Sequence, residues 1–163
     1  MQTLKNFSLS SLAIGLLAFA STPLMAANPL EGTYVLETRE LPDGKVFRSP
    51  EIVGMMTFTP THRNLNVLWS EGGKPCSVSL IATYALTETD YAEATLFYAD
   101  NLDGKGVRYD TSGAKGSAPV TRKDGSLSFD FPLHGEPSAV INADGTFVAT
   151  HAGKFVDRWK KVR

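Results

Sequence analysis

Strict two-residue alternation constrains this chain more than any other feature. Leu65, Val67 and Trp69 share one face of a run whose other face is Asn64, Asn66 and Ser70. Val78, Leu80, Ala82 and Tyr84 alternate with Ser77, Ser79 and Thr83, and Leu127, Phe129 and Phe131 with Ser126, Ser128 and Asp130. That period belongs to extended chain with one dry and one wet face. Between such runs stand turn formers: Pro42-Asp43-Gly44, Glu71-Gly72-Gly73-Lys74, Asp100 through Gly106, Lys123-Asp124-Gly125, Asn142-Ala143-Asp144-Gly145 and Ala152-Gly153-Lys154. Most carry the Gly that tight hairpins use for positive φ. No amphipathic helical stretch of useful length lies between them.

The strands expected from this pattern are Gly32–Leu41, Lys45–Phe47, Ile52–Thr59, Arg63–Ser70, Cys76–Leu86, Tyr91–Tyr98, Val107–Asp110, Pro119–Arg122, Ser126–Phe131, Ser138–Asn142, Thr146–His151 and Phe155–Val162. Thr111–Ala118 reads as a loop of small residues. Hairpin links without crossovers make an antiparallel sheet. A sandwich satisfies the alternation too, but sequential hairpins close on themselves without the long connections of a Greek key. The expected fold is all-β, a single antiparallel up-and-down β-barrel of about 8–10 strands. In it, Gly32 turns the backbone tightly into the base and Tyr34 plugs the closed end.

Residues 1–27 read as a signal peptide ahead of the domain at 28–163. Lys5 supplies a basic start, Leu9 to Ala20 an apolar core, and Ser21-Thr22-Pro23 a break before small residues suited to signal peptidase. The apolar run falls short of the about 20 residues that a spanning helix needs. The expectation is export to the periplasm or beyond, cleavage near Ala26 or Ala27, and no stable membrane insertion afterwards. Without Lys5 the chain carries 15 Lys and Arg against 17 Asp and Glu, a formal net charge of −2. That balance is no nucleic-acid footprint. Cys76 is the single cysteine, so no internal disulfide forms and packing alone must hold the fold.

The frame resembles the lipocalin-like (calycin-type) small bacterial β-barrels. Gly32-Thr33-Tyr34 stands where that family usually shows Gly-Thr-Trp. Pro42-Asp43-Gly44 follows the first strand, and Gly54-Met55-Met56-Thr57-Phe58-Thr59 matches the second. Phe155-Val156-Asp157-Arg158-Trp159-Lys160-Lys161-Val162 closes the frame. The sequence departs from the pattern at Tyr34 and in lacking a cysteine pair that would tie the C-terminal segment to the barrel. The resemblance implies a cup, and such barrels include carriers, stress proteins and a few enzymes.

Chemistry-bearing motifs are sparse. The histidines His62, His134 and His151 have no metal-pair spacing, and no metal or cofactor is expected. His62 and His134 fall in turns, whereas His151 shares a strand face with Phe147 and Ala149. Cys76 has no Cys-His-Asn surroundings, the serines lack a nucleophile elbow, and Asp100-Asn101-Leu102-Asp103-Gly104 lacks the spaced ligands of a calcium loop. What remains is an aromatic and aliphatic interior. Met55 or Met56, Phe58, Trp69, Tyr84, Tyr98, Phe129 and Phe147 are expected to line it, with Arg63, Tyr84, Tyr98 and His151 as orienting polar groups. The ligand expected is a small hydrophobic or aromatic molecule. Two alternatives stand beside binding. One is a cofactor-free lyase, isomerase or cyclase with His151 and Tyr84 or Tyr98 as its acid–base pair and Arg63 stabilising negative charge. The other is a packed barrel whose loops bind an envelope partner.

Overall fold

The computed structural model describes residues 28–162, so the expected leader over 1–27 lies outside the described residues. The chain forms β1 (Gly32–Glu40), β2 (Val46–Phe47), β3 (Ile52–Phe58), β4 (His62–Glu71), β5 (Lys74–Leu86), β6 (Asp90–Asn101), β7 (Arg108–Asp110), β8 (Lys115–Pro119), β9 (Thr121–Lys123), β10 (Ser126–Asp130), β11 (Ser138–Ile141), β12 (Phe147–His151) and β13 (Phe155–Lys161). All thirteen belong to one sheet, ordered β7-β6-β5-β4-β3-β1-β13-β12-β11-β10-β9, with β2 on β1 and β8 on β6. Every pairing is antiparallel. The sheet curls into a half-barrel around one core.

The segment expected as a small-residue loop, Thr111–Ala118, instead contains β8. Lys115-Gly116-Ser117-Ala118 has little strand propensity of its own. It is extended because the edge of β6 offers unpaired backbone groups, and Asp90 to Ala94 pair with Pro119 to Lys115. The same extended segment then reaches the other end of the sheet, where Thr121 to Lys123 pair with Ser128 to Ser126. One segment thus bridges β6 and β10 near one end of the half-barrel. Near the other end that gap is filled by the connection 131–137. Gly116 makes this possible: a Cβ there would stand 2.9 Å from the Pro132 side chain and 3.0 Å from that of Leu133.

Burial follows the alternation except at two bulges. In β1 the register against β13 shifts between Leu36 and Thr38, which brings Leu36 and Arg39, of opposite parity, to the same inward side. On β6 both Tyr91 and Tyr98 face inward, at 0% and 8% exposure, although seven positions apart they have opposite parity. A bulge reconciles them: Ile81 pairs with Phe97 and Ala82 with Thr95, which leaves Leu96 over and turned out to solvent.

One end of the half-barrel is packed solid. Gly32 enters β1 at φ +135°, a backbone that favours glycine, and the preceding Leu30 is buried beneath it. The buried Tyr34 hydroxyl donates to the Leu30 carbonyl at 3.1 Å. Its ring meets Phe58 and Phe147 edge-on at centroid distances of 6.3 and 5.6 Å. Phe58 passes the contact to Tyr84, Tyr84 stacks near Tyr91, and Tyr91 lies on Phe129 at 4.3 Å. Each large side chain so buried contributes about 1.5–3 kcal/mol. The packing stops one layer up.

Candidate functional site

Above the aromatic layer the half-barrel is hollow. A cavity of about 1100 Å³ opens among the connections 41–43 and 134–137, the end of β4 at Ser70 and Glu71, and Lys154. Its walls are residues of β1, β3, β4, β12 and β13, together with Phe47 of β2, Val78 of β5 and Tyr98 of β6. Arg63, Trp69, Tyr98, Phe147 and His151 lie in this lining, as does Met56. Phe58, Tyr84 and Phe129 sit below it in the packed layer. Met55 points outward, half exposed. The reason is position along the strand: Phe58 and Tyr84 lie at the strand ends that meet the packed end of the molecule.

Arg63 forms the floor of the cavity. It is the second residue of β4, 1% exposed, and its guanidinium lies 3.6 Å above the ring of Phe131. Nη1 donates to Glu93 Oε2 and Glu136 Oε2, both at 3.0 Å, and Nη2 donates to Glu136 Oε1 at 2.6 Å. The Tyr91 hydroxyl donates to the same Glu93 oxygen. Burial pulls the guanidinium down, but the two carboxylates outweigh it and hold Arg63 charged. Burial pushes the Glu136 carboxyl above its ordinary range, although Arg63 pulls the other way. Burial likewise raises the Tyr91 phenol, so it remains a neutral donor. Two carboxylates share one cation in a dry place, an arrangement stable only while every member keeps its partner.

A second pair lies toward the mouth. Arg39 donates to Asp157 through Nε and Nη2, each at 2.7 Å, and both side chains are nearly buried. The Arg39 guanidinium rests 3.9 Å above Phe155 and 5.1 Å from Trp69. Burial raises the Asp157 carboxyl, against the pull of Arg39. The cavity therefore has two arginines, each held by a carboxylate in a two-pronged geometry and each laid on an aromatic face.

Sequence reasoning missed Glu93, Glu136, Tyr91 and His134. Glu93 shares a strand parity with the apolar-facing Tyr91, a signal available in the residues themselves. Glu136 and His134 sit in a Pro- and Gly-containing connection that carries no periodicity. His134 adopts φ +56° and is not solvated: its side chain is 9% exposed and its ring stacks on Tyr98 at 3.9 Å. Its Nε2 lies 2.9 Å from the Thr95 hydroxyl, and Asp110 is 4.0 Å from Nδ1. Thr95 is 2% exposed and outside the cavity, so this Asp-His-Thr array anchors the connection and presents no nucleophile.

The acid–base pair expected of His151 with Tyr84 is not assembled. The Tyr84 hydroxyl donates to the Thr59 carbonyl at 2.7 Å and accepts from Asn28 at 2.8 Å, both at the packed end. His151 packs its ring against Phe155 in the cavity wall. Tyr98 shares the cavity with His151, but its face is taken by His134. Burial pushes both tyrosines up to about 12, far from a neutral-pH proton acceptor. Among the described residues no cluster of His, Cys, Asp and Glu is placed to hold a metal ion. No protein-family model matches the chain, and neither a curated protein nor a solved structure matches it.

Proposed function

We propose that this chain is an exported, lipocalin-like barrel that holds a small, mostly apolar molecule in its hollow end. The observation that carries the reading is the juxtaposition of a cavity of about 1100 Å³ with walls of Trp69, Phe147, Phe155 and Trp159 and internally paired charges. Small-molecule sites are built this way, with apolar walls for affinity and a few fixed polar groups for orientation. A packed barrel serving only as a platform for its loops has no use for such a volume, because an unfilled cavity forfeits contacts and lowers stability.

Binding draws on burial of apolar surface, about 25 cal/mol per Å² before the costs of association. The charged pairs do not supply that affinity. They define where a polar atom of the ligand can sit without leaving a charge unpartnered.

Native mass spectrometry of the full chain, expressed in cells and purified without detergent, tests the reading. The expected result is a discrete mass adduct that organic extraction removes. Ligand-free protein that also fails to bind a neutral apolar dye overturns it.

A further inference from the structure

The cavity changes character between floor and mouth, and the change bears on the polar end of the ligand, given the binding role proposed above. Low in the cavity the polar groups are spent: Arg63 on Glu93 and Glu136, Arg39 on Asp157. His134 is spent as well, with Nε2 at 2.9 Å from the Thr95 hydroxyl and Nδ1 toward Asp110. Tyr98 stands beside the Asp100 carboxylate, and burial together with that anion pushes its phenol up to about 12, so it stays neutral.

Two lining groups have no partner, and they share one turn. His151 ends β12, Lys154 precedes β13, and the Lys154 amide donates to the His151 carbonyl at 2.9 Å to close the hairpin. The rings of His62 and His134 are hydrogen-bonded to threonines, whereas the half-buried His151 ring has no hydrogen bond among the described residues. The exposed Lys154 enters no ion pair there either. The side-chain atoms that are both enclosed and unpartnered, Arg63 Nε, Glu93 Oε1 and Trp159 Nε1, lie elsewhere, so the His151 nitrogens keep open surface.

Phe155 ties this turn to a third cation. The His151 ring lies 5.5 Å from the Phe155 ring, and the Arg39 guanidinium lies 3.9 Å above that same ring. Imidazole, ammonium and guanidinium thus line one side of the mouth. The carboxylate among them, Asp157, is already held by two hydrogen bonds from Arg39. The rim anions have local partners of their own. Asp43 Oδ1 accepts from the Lys45 amide at 3.0 Å, and Glu71 is the register partner of Lys74 across its hairpin. Both are exposed, where water and salt screen their repulsion of an acid.

We infer that the ligand is a monoacid whose apolar body fills the hollow end and whose carboxylate stays at the mouth, on the His151 imidazolium and the Lys154 ammonium. A carboxylate carried to the floor would be desolvated against cations already engaged, which holds the head at the rim and excludes a second acid group. An amine head finds there only anions with a local partner. Imidazole carries its proton only toward acid pH, so binding takes up a proton, and affinity for the acid falls as pH rises through the ordinary histidine range near about 6.5. The other charges of the lining, on Arg39, Asp157, Asp43, Glu71, Arg63 and Glu136, remain when His151 is replaced, so His151→Gln isolates its part.

Three naphthalenes of matched size test this on the intact protein by calorimetry: naphthylacetate, naphthylethanol and naphthylethylamine. At about pH 6 the acid should bind about threefold more tightly than the alcohol, the scale of a partly exposed ion pair, and more tightly still than the amine. Between about pH 5.5 and 8.5 its affinity should fall about threefold while that of the alcohol stays level. By linkage the acid should raise the midpoint of the His151 imidazole titration, followed by NMR, by about half a pH unit. His151→Gln should flatten the acid's pH dependence and leave the alcohol within about twofold. Lys154→Met, on an exposed turn, should weaken the acid at both ends of the pH range and keep the slope. An acid that binds no tighter than the alcohol at pH 6, or that leaves the His151 titration unmoved, overturns the head assignment while alcohol binding keeps the binding role. Tightest binding by the amine overturns it as well. If none of the three binds, the neutral dye phenylnaphthylamine separates the cases: its binding removes the head assignment alone, and its failure removes the binding role too.

Discussion

Arg63 marks the boundary between the packed end of the half-barrel and its hollow end. Its guanidinium caps the aromatic layer, and two carboxylates and a phenol converge below and beside it. Removing the cation would leave Glu93, which is fully buried, with only the Tyr91 hydroxyl as a partner. Arg63→Met should therefore lower the unfolding free energy by about 3–5 kcal/mol, the usual result of breaking a buried pair from one side. Urea denaturation measures it, and a loss below about 1 kcal/mol would mean that the cluster is solvated. Glu136 adds a pH signature. Burial raises its folded-state carboxyl above the unfolded value, so the folded protein binds the extra proton. Its contribution is fully present below about pH 4 and declines as pH rises through the folded value. The stability of the unaltered protein relative to Glu136→Gln should accordingly fall from about pH 4 toward neutrality. A difference that grew with pH would contradict the assigned burial.

At the scale of elements, the connection 131–137 stands in for a missing ladder. It spans the gap between β6 and β10, seats His134 on Tyr98, and carries Glu136 down to Arg63. Its seat is Gly116, where there is no room for a methyl group against Pro132 and Leu133. Gly116→Ala should cost about 1–3 kcal/mol by overpacking. It should also raise hydrogen exchange across residues 132–137 more than in β3 or β4. Equal protection throughout would show that the connection is not held by β8. These features were the least legible in the residues. Alternation in β4, β5 and β10 identified the inward faces, because a strand with one dry side must write its period into its sequence. Two things escape such a reading. The bulge at Leu96 resets parity within β6, and β8 is extended only because β6 presents an edge to it. The arginine of the site was visible through its parity with Leu65. Its carboxylate partners come from β6 and from an aperiodic connection, a juxtaposition made by the tertiary fold alone.

The whole molecule divides its length between two tasks. One end spends its aromatics on a solid plug of Leu30, Tyr34, Phe58, Tyr84, Tyr91 and Phe129, which holds the sheet without any disulfide. The other end leaves a space of about 1100 Å³ whose buried charges, on Arg39, Arg63, Glu136 and Asp157, are already paired. The proposed binding role rests on this cavity. Its most direct test is a titration with the neutral dye phenylnaphthylamine, comparing the unaltered chain with Ala149→Phe. Ala149 is a small residue of the cavity wall, and a phenyl ring there projects into the open space. The account predicts saturable one-site fluorescence enhancement in the unaltered protein and binding at least about tenfold weaker in Ala149→Phe, with the cooperative unfolding transition retained. No saturable binding by the unaltered protein, or equal binding by both, would contradict it.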